Sequence, residues 1–305
     1  MKTERVVVAD GVELAVDLWP AAGAAGPTAA SRHGSSFLLV HGLASNARMW
    51  DGVAERLSAA GSPVATVDLR GHGRSAKPDD GYEVTTVADD LAALIERTAL
   101  DRPVVAGQSW GGNVVLELAA RHPAAVRAIA CVDGGWLDLQ AGFPDWETCS
   151  TALAPPRLVG RRFADVEGWL RSAHADWPET GIRGALANFE VRPDGTIAPW
   201  LTYERHMTVL RGLWEHRPAE RFSSIAVPVL LAPAEPDPGS TEGGAGSDAM
   251  NRKRREVDAA AAAIPEARVH WFSGDHDIHA QHPAEVAGVL QEMTLDDAAR
   301  DEAAS

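Results

Sequence analysis

Apolar runs and helically spaced apolar positions alternate along most of the chain. Residues 6–9 and 12–19 read as a strand hairpin turned at Asp10-Gly11. The short apolar runs at 37–40, 64–67, 104–106 and 127–132 are consistent with buried strands, and each of the first three ends in a polar or glycine-containing segment. Helical spacing fills the gaps. Residues 46–60 carry Met49, Trp50, Val53 and Leu57 on one face, and residues 84–100 carry Val87, Leu91, Leu94 and Ile95. Residues 110–121 carry Val114, Val115, Leu118 and Ala119, with His122-Pro123 as the stop. Alternating strands and helices predict an α/β fold, a mostly parallel twisted sheet with flanking helices.

The rhythm breaks after Asp133. Six of the ten tryptophans (Trp136, Trp146, Trp169, Trp177, Trp200 and Trp214) fall between there and Phe222, where no clear buried strand appears. Strand runs return at 227–232 and 268–272, and a helix closes at 283–293. This predicts core segments at 1–135 and 223–305 with a helical cap inserted at 136–222. The cap tryptophans are expected mostly to pack the cap itself, with one or two lining a pocket between cap and sheet. Residues 21–36 and 238–249 are small, polar or glycine-rich and are expected to be loops, and the acidic, alanine-rich tail after Thr294 is expected to fray.

Composition narrows the function classes. The 305 residues are 45% hydrophobic and 23% charged, a globular mixture that excludes global disorder. Lys and Arg number 28 against 43 Asp and Glu, a net charge of −15 that disfavours nucleic acid and anionic membrane surfaces as partners. No apolar run has the length of a membrane span, and the start lacks the features of a signal peptide, so a cytoplasmic location is expected. Only Cys131 and Cys149 are present, too few for a disulfide framework or a thiolate zinc site, and Cys131 is expected as a buried small hydrophobe.

The strongest chemical signal is Gly107-Gln108-Ser109-Trp110-Gly111, followed by Gly112, between an apolar strand and an amphipathic helix. That context makes a sharp strand-to-helix turn in which the glycines let backbone segments pass closely and the Ser109 hydroxyl is exposed. The helix then points the positive end of its dipole at the same spot.

A serine hydroxyl needs a base. His276, in the segment Gly274-Asp275-His276-Asp277-Ile278-His279-Ala280-Gln281-His282-Pro283, lies at the carboxyl end of the last strand run, the edge that also carries Ser109. His276, Asp277, His279 and His282 also read as potential metal ligands, but nothing elsewhere supplies a matching set, so no metal and no other cofactor is expected. The acid that holds the imidazole is expected at Asp237, with Glu235 as the nearby rival and Asp133 as a third possibility. Two backbone donors are expected to stabilise an oxyanion, the N–H of Trp110 and that of Leu43 in the His41-Gly42-Leu43 loop. His41 is expected to brace that loop, and His33-Gly34 to be a decoy. The stretch from Asp68 to Ser75 is expected to be structural, and Arg252-Lys253-Arg254-Arg255 a solvated helix face.

With these residues in place, the chain resembles the α/β-hydrolase fold superfamily in its form with a helical cap. The resemblance rests on His41-Gly42-Leu43 with Trp50 beyond it, Asp68-Leu69-Arg70-Gly71-His72-Gly73-Arg74-Ser75, the Ser109 motif, the Asp237 loop and the His276 segment. It implies Ser109 as nucleophile, His276 as base and Asp237 as acid. The acid loop departs from the family pattern, with Ala234 where glycine is usual and an added Pro236, which leaves the acid's register open. A serine nucleophile, and the lack of a proline after His41-Gly42, argue against epoxide hydrolase and haloalkane dehalogenase chemistry.

The function expected is a serine hydrolase that cleaves a carboxylic ester of a small to medium apolar substrate through an acyl-enzyme. Aminopeptidase or amidase and C–C hydrolase activities are the alternatives, with cofactor-free haloperoxidase-like activity a weaker one. An aminopeptidase needs cap carboxylates to hold an α-ammonium, and Asp145, Glu147, Asp165, Glu167, Asp176 and Glu179 are available. A ligand receptor using the same pocket is the non-enzymatic alternative. The oligomeric state has no signature in the sequence.

Overall fold

A computed structural model describes residues 1–23, 35–236 and 248–304 of the chain. Its strands are β1 (Lys2–Val7), β2 (Glu13–Trp19), β3 (Phe37–Val40), β4 (Val64–Asp68), β5 (Val104–Gln108), β6 (Ala128–Val132), β7 (Phe189–Val191), β8 (Ile197–Pro199), β9 (Val229–Ala232), β10 (Ala234–Glu235), β11 (Ala267–Val269) and β12 (Phe272–Ser273). Its helices are α1 (Asp51–Ala59), α2 (Val84–Arg97), α3 (Trp110–Arg121), α4 (Leu139–Gly142), α5 (Trp146–Ala152), α6 (Phe163–Ala173), α7 (Glu179–Leu186), α8 (Tyr203–Glu215), α9 (Asp248–Ala263), α10 (Ile278–Gln281) and α11 (Pro283–Ala304).

Eight strands form one sheet in the order β1-β2-β4-β3-β5-β6-β9-β11. The first hairpin pairs antiparallel, Lys2 opposite Leu18, and β2 joins β4 antiparallel. Asp10 and Gly11 make the hairpin turn with φ of 54° and 74°, a left-handed pair for which Asp and Gly are suited. From β4 onward every pairing in this sheet is parallel.

Successive strand residues point to opposite faces, so a continuous apolar run builds two cores at once. Leu38, Val40, Val105, Ile129 and Leu231 pack with Val87 and Leu91 of α2, Val114 and Leu118 of α3, and Val257 of α9. Phe37, Leu39, Val104, Ala106, Ala130 and Leu230 pack on the other face with Val53 and Leu57 of α1 and Val286 and Leu290 of α11. Each fully buried Leu, Val or Ile contributes about 1.5–3 kcal/mol by leaving water. These two layers fix the sheet whose carboxyl edge carries the site.

Between β6 and β9 the chain forms α4 to α8 and one antiparallel hairpin, β7 with β8. A third apolar cluster holds part of this segment to the sheet domain: Val166, Leu170, Trp177, Ile182, Ala185 and Ile197 meet Met49 and Ala280.

Several boundaries differ from the apolar pattern for local reasons. The segment 46–60 opens with a 3-10 turn, Ala47–Trp50, because the Asn46 side chain accepts from the Arg48 N–H before α1 starts. The run at 268–272 divides between β11, which joins β9, and β12, which pairs with β10. The tail expected to fray continues α11 to Ala304, where alanine, glutamate and arginine favour helix. The loops expected at 21–36 and 238–249, with the His33-Gly34 pair, lie largely outside the described residues.

Candidate active site

Strand β5 ends at Gln108 and α3 begins at Trp110, which leaves Ser109 alone to make the turn. Its φ of 54° and ψ of −122° are a conformation that a residue with a side chain adopts only under constraint. Close packing supplies that constraint. A Cβ on Gly111 would collide with the carbonyl of His41, and one on Gly107 with the carbonyl of Gly111. The N–H of Ser109 donates to Val132 O at 2.9 Å, which ties the turn to the end of β6.

The next residue after Val132 is Asp133, with φ of 43°, and Gly134 follows so tightly that a Cβ there would run into the main chain of Ser109. The Asp133 carboxylate, 2% exposed, therefore emerges beside the Ser109 turn. His276, in the loop between β12 and α10, meets it: Nδ1 lies 2.7 Å from Asp133 Oδ2. A carboxylate only accepts, so Nδ1 carries the proton and Nε2 keeps a lone pair for another hydroxyl. Ser109 and His276 line one cavity of about 230 Å³.

The electrostatics follow from this pairing. Burial opposes the charge on Asp133, but the bond from His276 and the nearby ammonium of Lys253 outweigh it and hold the carboxyl below the ordinary carboxylate range. Partial desolvation opposes an imidazolium at His276, whose side chain is still 55% exposed, and the hydrogen bond and charge of Asp133 prevail and raise its pKa above 6.5.

Among the described residues the carboxylate bonded to His276 is Asp133, the third of the candidates drawn from sequence. Asp237, expected there, lies outside the described residues. Glu235 turns instead to an ion pair with Arg254. The local signal was Asp133-Gly134-Gly135 directly after a buried strand, adjacent in the sheet to the strand bearing Ser109.

Two further residues of the site were not singled out from sequence. Gln108 donates from Nε2 to the main-chain oxygen of His276 at 3.0 Å. Lys253, expected on a solvated face, instead places its ammonium 2.8 Å and 3.0 Å from the two oxygens of Asp133.

The loop after β3 supplies Leu43 to the cavity wall. His41 Nδ1 donates to Gly42 O at 2.7 Å and Nε2 accepts from the Leu69 N–H at 3.0 Å, so a neutral imidazole spans the loop. Burial lowers its pKa, which keeps it neutral. No hydrogen bond among the described residues takes up the main-chain N–H of Leu43 or of Trp110. Asp68 accepts from Ala47 N and from the main chain and guanidinium of Arg74, so it locks two loops together.

Apolar side chains of Met49, Leu170, Trp177, Ala185 and Phe189 roof the cavity, and Asn188, His174 and Asp277 add polar groups. Of the cap tryptophans, Trp177 reaches the cavity, and its Nε1 donates to Asp275 at 2.9 Å. Trp136 packs in the sheet core and Trp169 is 63% exposed. None of the six cap carboxylates named above lines the cavity. Asp145 caps α5, while Glu167 and Glu179 hold Arg171. His279, a candidate metal ligand, packs its ring 4.4 Å from Trp50 in the interior. Among the described residues no group of three or more His, Cys, Asp or Glu is placed to hold a metal ion.

A family model described as the alpha/beta hydrolase fold matches residues 36–179. A 2-(acetamidomethylene)succinate hydrolase of Mesorhizobium japonicum is 30% identical over 205 residues, 66% of this chain and 71% of the relative. The chain belongs to the α/β-hydrolase fold family. A second α/β-hydrolase relative, the AB hydrolase superfamily protein YisY of Bacillus subtilis, is 37% identical over 206 residues, 65% of this chain and 73% of the relative. A crystal structure of E-2-(acetamidomethylene)succinate hydrolase superposes with a TM-score of 0.73 at 22% identity, covering 95% of this chain and 98% of that one. The parallel sheet with helices on both faces is this family's fold, and the family places the chain among hydrolases. No helix among the described residues is long and apolar enough to cross a membrane.

Proposed function

We propose that the protein is a serine hydrolase that cleaves a carboxylic ester, or a related acyl bond, of a small to medium uncharged substrate. The observation that carries this reading is the 2.7 Å bond between His276 Nδ1 and Asp133 Oδ2 at the cavity that Ser109 also lines. Ser109 is the nucleophile, His276 the base and Asp133 the acid that fixes the imidazole's tautomer and stabilises its charged form.

In the first step Ser109 Oγ bonds to the carbonyl carbon while its proton moves to His276 Nε2. The N–H groups of Leu43 and Trp110 receive the oxyanion, an effect worth about 3–4 kcal/mol per donor. The carbon–oxygen bond to the leaving alcohol then breaks, and His276 returns the proton to that oxygen. Water attacks the acyl-enzyme with the same histidine as base, releases the acid and restores Ser109. The segment between β6 and β9 acts as the cap that roofs the cavity.

The cavity wall supports an uncharged acyl group. Seven of its fourteen lining residues are apolar, none of those among the described residues is lysine or arginine, and Asp277 adds a carboxyl. An anionic acyl group would enter without a cation to meet it. Activated esters of graded acyl length, with a hemisuccinate ester as the anionic comparison, test this reading. Turnover with excess neutral ester, loss of turnover in Ser109→Ala and loss of organophosphonate labelling in the same variant are expected. Normal turnover by Ser109→Ala would refute the assignment, and a single stoichiometric event would indicate a receptor. Cleavage of amides by the same acyl-enzyme is the second reading, favoured by the 30% identity to a hydrolase of an acetamido compound. Arylamides in the same panel separate it from esterase activity.

A further inference from the structure

Lys253 is a cation in the second turn of α9 whose ammonium has three acceptors within reach: Asp133 Oδ1 at 2.8 Å, Asp133 Oδ2 at 3.0 Å and Ala234 O at 2.9 Å. An ammonium has three protons, so this geometry can use each of them. Arg254, the next residue, turns to Glu235, so the basic run is divided between two carboxylates. We propose that Lys253 is a positioning residue for hydrolysis, clamping Asp133 in the orientation that meets His276 and balancing its charge. The proposal rests on the reading that Ser109, His276 and Asp133 act together.

Asp133 is buried and His276 beside it is half-exposed, so the carboxylate's charge must be balanced by the groups it touches. With a neutral His276, Asp133 alone would leave a net negative charge at the base of the site, and a proton on the imidazole would cancel it. That arrangement favours imidazolium and spoils the base at neutral pH. With Lys253 in contact, the resting pair is already neutral, and a proton on His276 gains less. Among the described residues, the other titratable groups around His276 do not replace this cation. Asp275 and Asp277 on its own loop are acidic, His279 of α10 is kept neutral by burial, and His174 follows α6 across the cavity. The direct effect of the Lys253 charge is to lower the His276 pKa, opposing the Asp133 carboxylate.

The test is kcat/KM against pH for an activated neutral ester, in wild type, Lys253→Met, Lys253→Gln and Lys253→Arg, with organophosphonate labelling of each. Lys253→Met and Lys253→Gln are expected to move the acid limb upward by about one pH unit, a loss of about tenfold below the limb that recovers at alkaline pH. Lys253→Gln keeps an uncharged donor on a side chain one atom shorter, so a shift shared with Lys253→Met isolates the loss of charge. Lys253→Arg is expected to leave the limb where wild type has it, and all three variants are expected to label at alkaline pH. An unmoved limb in both uncharged variants, or a rate lowered by the same factor at every pH, would overturn the proposal and leave Lys253 with a structural role only. Failure of the catalytic reading shows separately, as labelling that survives in Ser109→Ala.

Discussion

Gln108 and His276 are joined across 168 residues by one hydrogen bond, from the side-chain Nε2 to the main-chain oxygen, at 3.0 Å. The same side chain lies against the glycine of the His41-Gly42-Leu43 loop, where a Cβ would strike its Oε1. One buried amide therefore ties together the Ser109 turn, the loop proposed to hold an oxyanion and the loop bearing His276.

Gln108→Leu removes this bond and leaves the His276 carbonyl without its donor. It is expected to lower kcat by about tenfold, since a misplaced base costs orientation, with KM changed little. Stability is expected to fall by about 0.5–1.5 kcal/mol, the net worth of one part-buried hydrogen bond. Steady-state kinetics and denaturant titration check both. An unchanged kcat would separate Gln108 from the positioning of His276.

The pH profile follows from the direction of the His276 shift. In the proposed reaction, attack by Ser109 requires the neutral imidazole. Because Asp133 raises the His276 pKa above 6.5, the imidazole stays protonated to a higher pH than a free histidine. Activity is expected to be low in acid and to rise with pH through a midpoint above 6.5. A kcat/KM profile from pH 5.5 to 9 measures it, and a midpoint at or below 6.5, or a flat profile, would contradict the pairing.

Acid also acts on stability through histidines that the reaction does not use. Burial pushes His72 and His279 down to about 3 and lowers His41 as well. Each stays neutral in the fold but gains a proton in the unfolded chain below 6.5. For His72 and His279 stability is therefore lost as pH falls from 6.5 toward 3, by about 1.4 kcal/mol per histidine for each unit once the unfolded form is fully charged, and His41 acts in the same direction. Neither ring nitrogen of His279 has a partner. His279→Leu is expected to be neutral or stabilising by about 1 kcal/mol at pH 7 and to reduce the acid sensitivity. Denaturant midpoints at pH 7 and pH 5 check this, and a steeper fall in the variant would refute it.

The fold was legible because its strands are short apolar runs whose burial on both faces needs nothing beyond the run itself. Helix α3 and the Ser109 turn were legible for the same local reason, since strand, glycines and helix are contiguous. The partner of His276 was harder to read. Asp133 and Asp237 both come after strand runs in the sequence, and that the strand before Asp133 lies next to β5 is a fact of sheet order that the linear pattern does not carry. Lys253 was hidden by its neighbours, because a run of four basic residues has the signature of a solvated face. Its orientation toward Asp133 depends on where α9 packs. Trp177 is distinguished from Trp169 only by where each side chain points, one into the cavity and the other to solvent.

The most direct test of the central claim compares two aspartates. Asp133→Asn and Asp237→Asn are made separately, and kcat for a neutral activated ester is measured at the pH optimum of each. Asp133→Asn is expected to lower kcat by about 10³–10⁴-fold, the scale seen when such an acid no longer fixes its histidine, while Asp237→Asn stays within a few-fold of wild type. A collapse in Asp237→Asn with activity retained in Asp133→Asn would contradict the assignment of Asp133 as the acid.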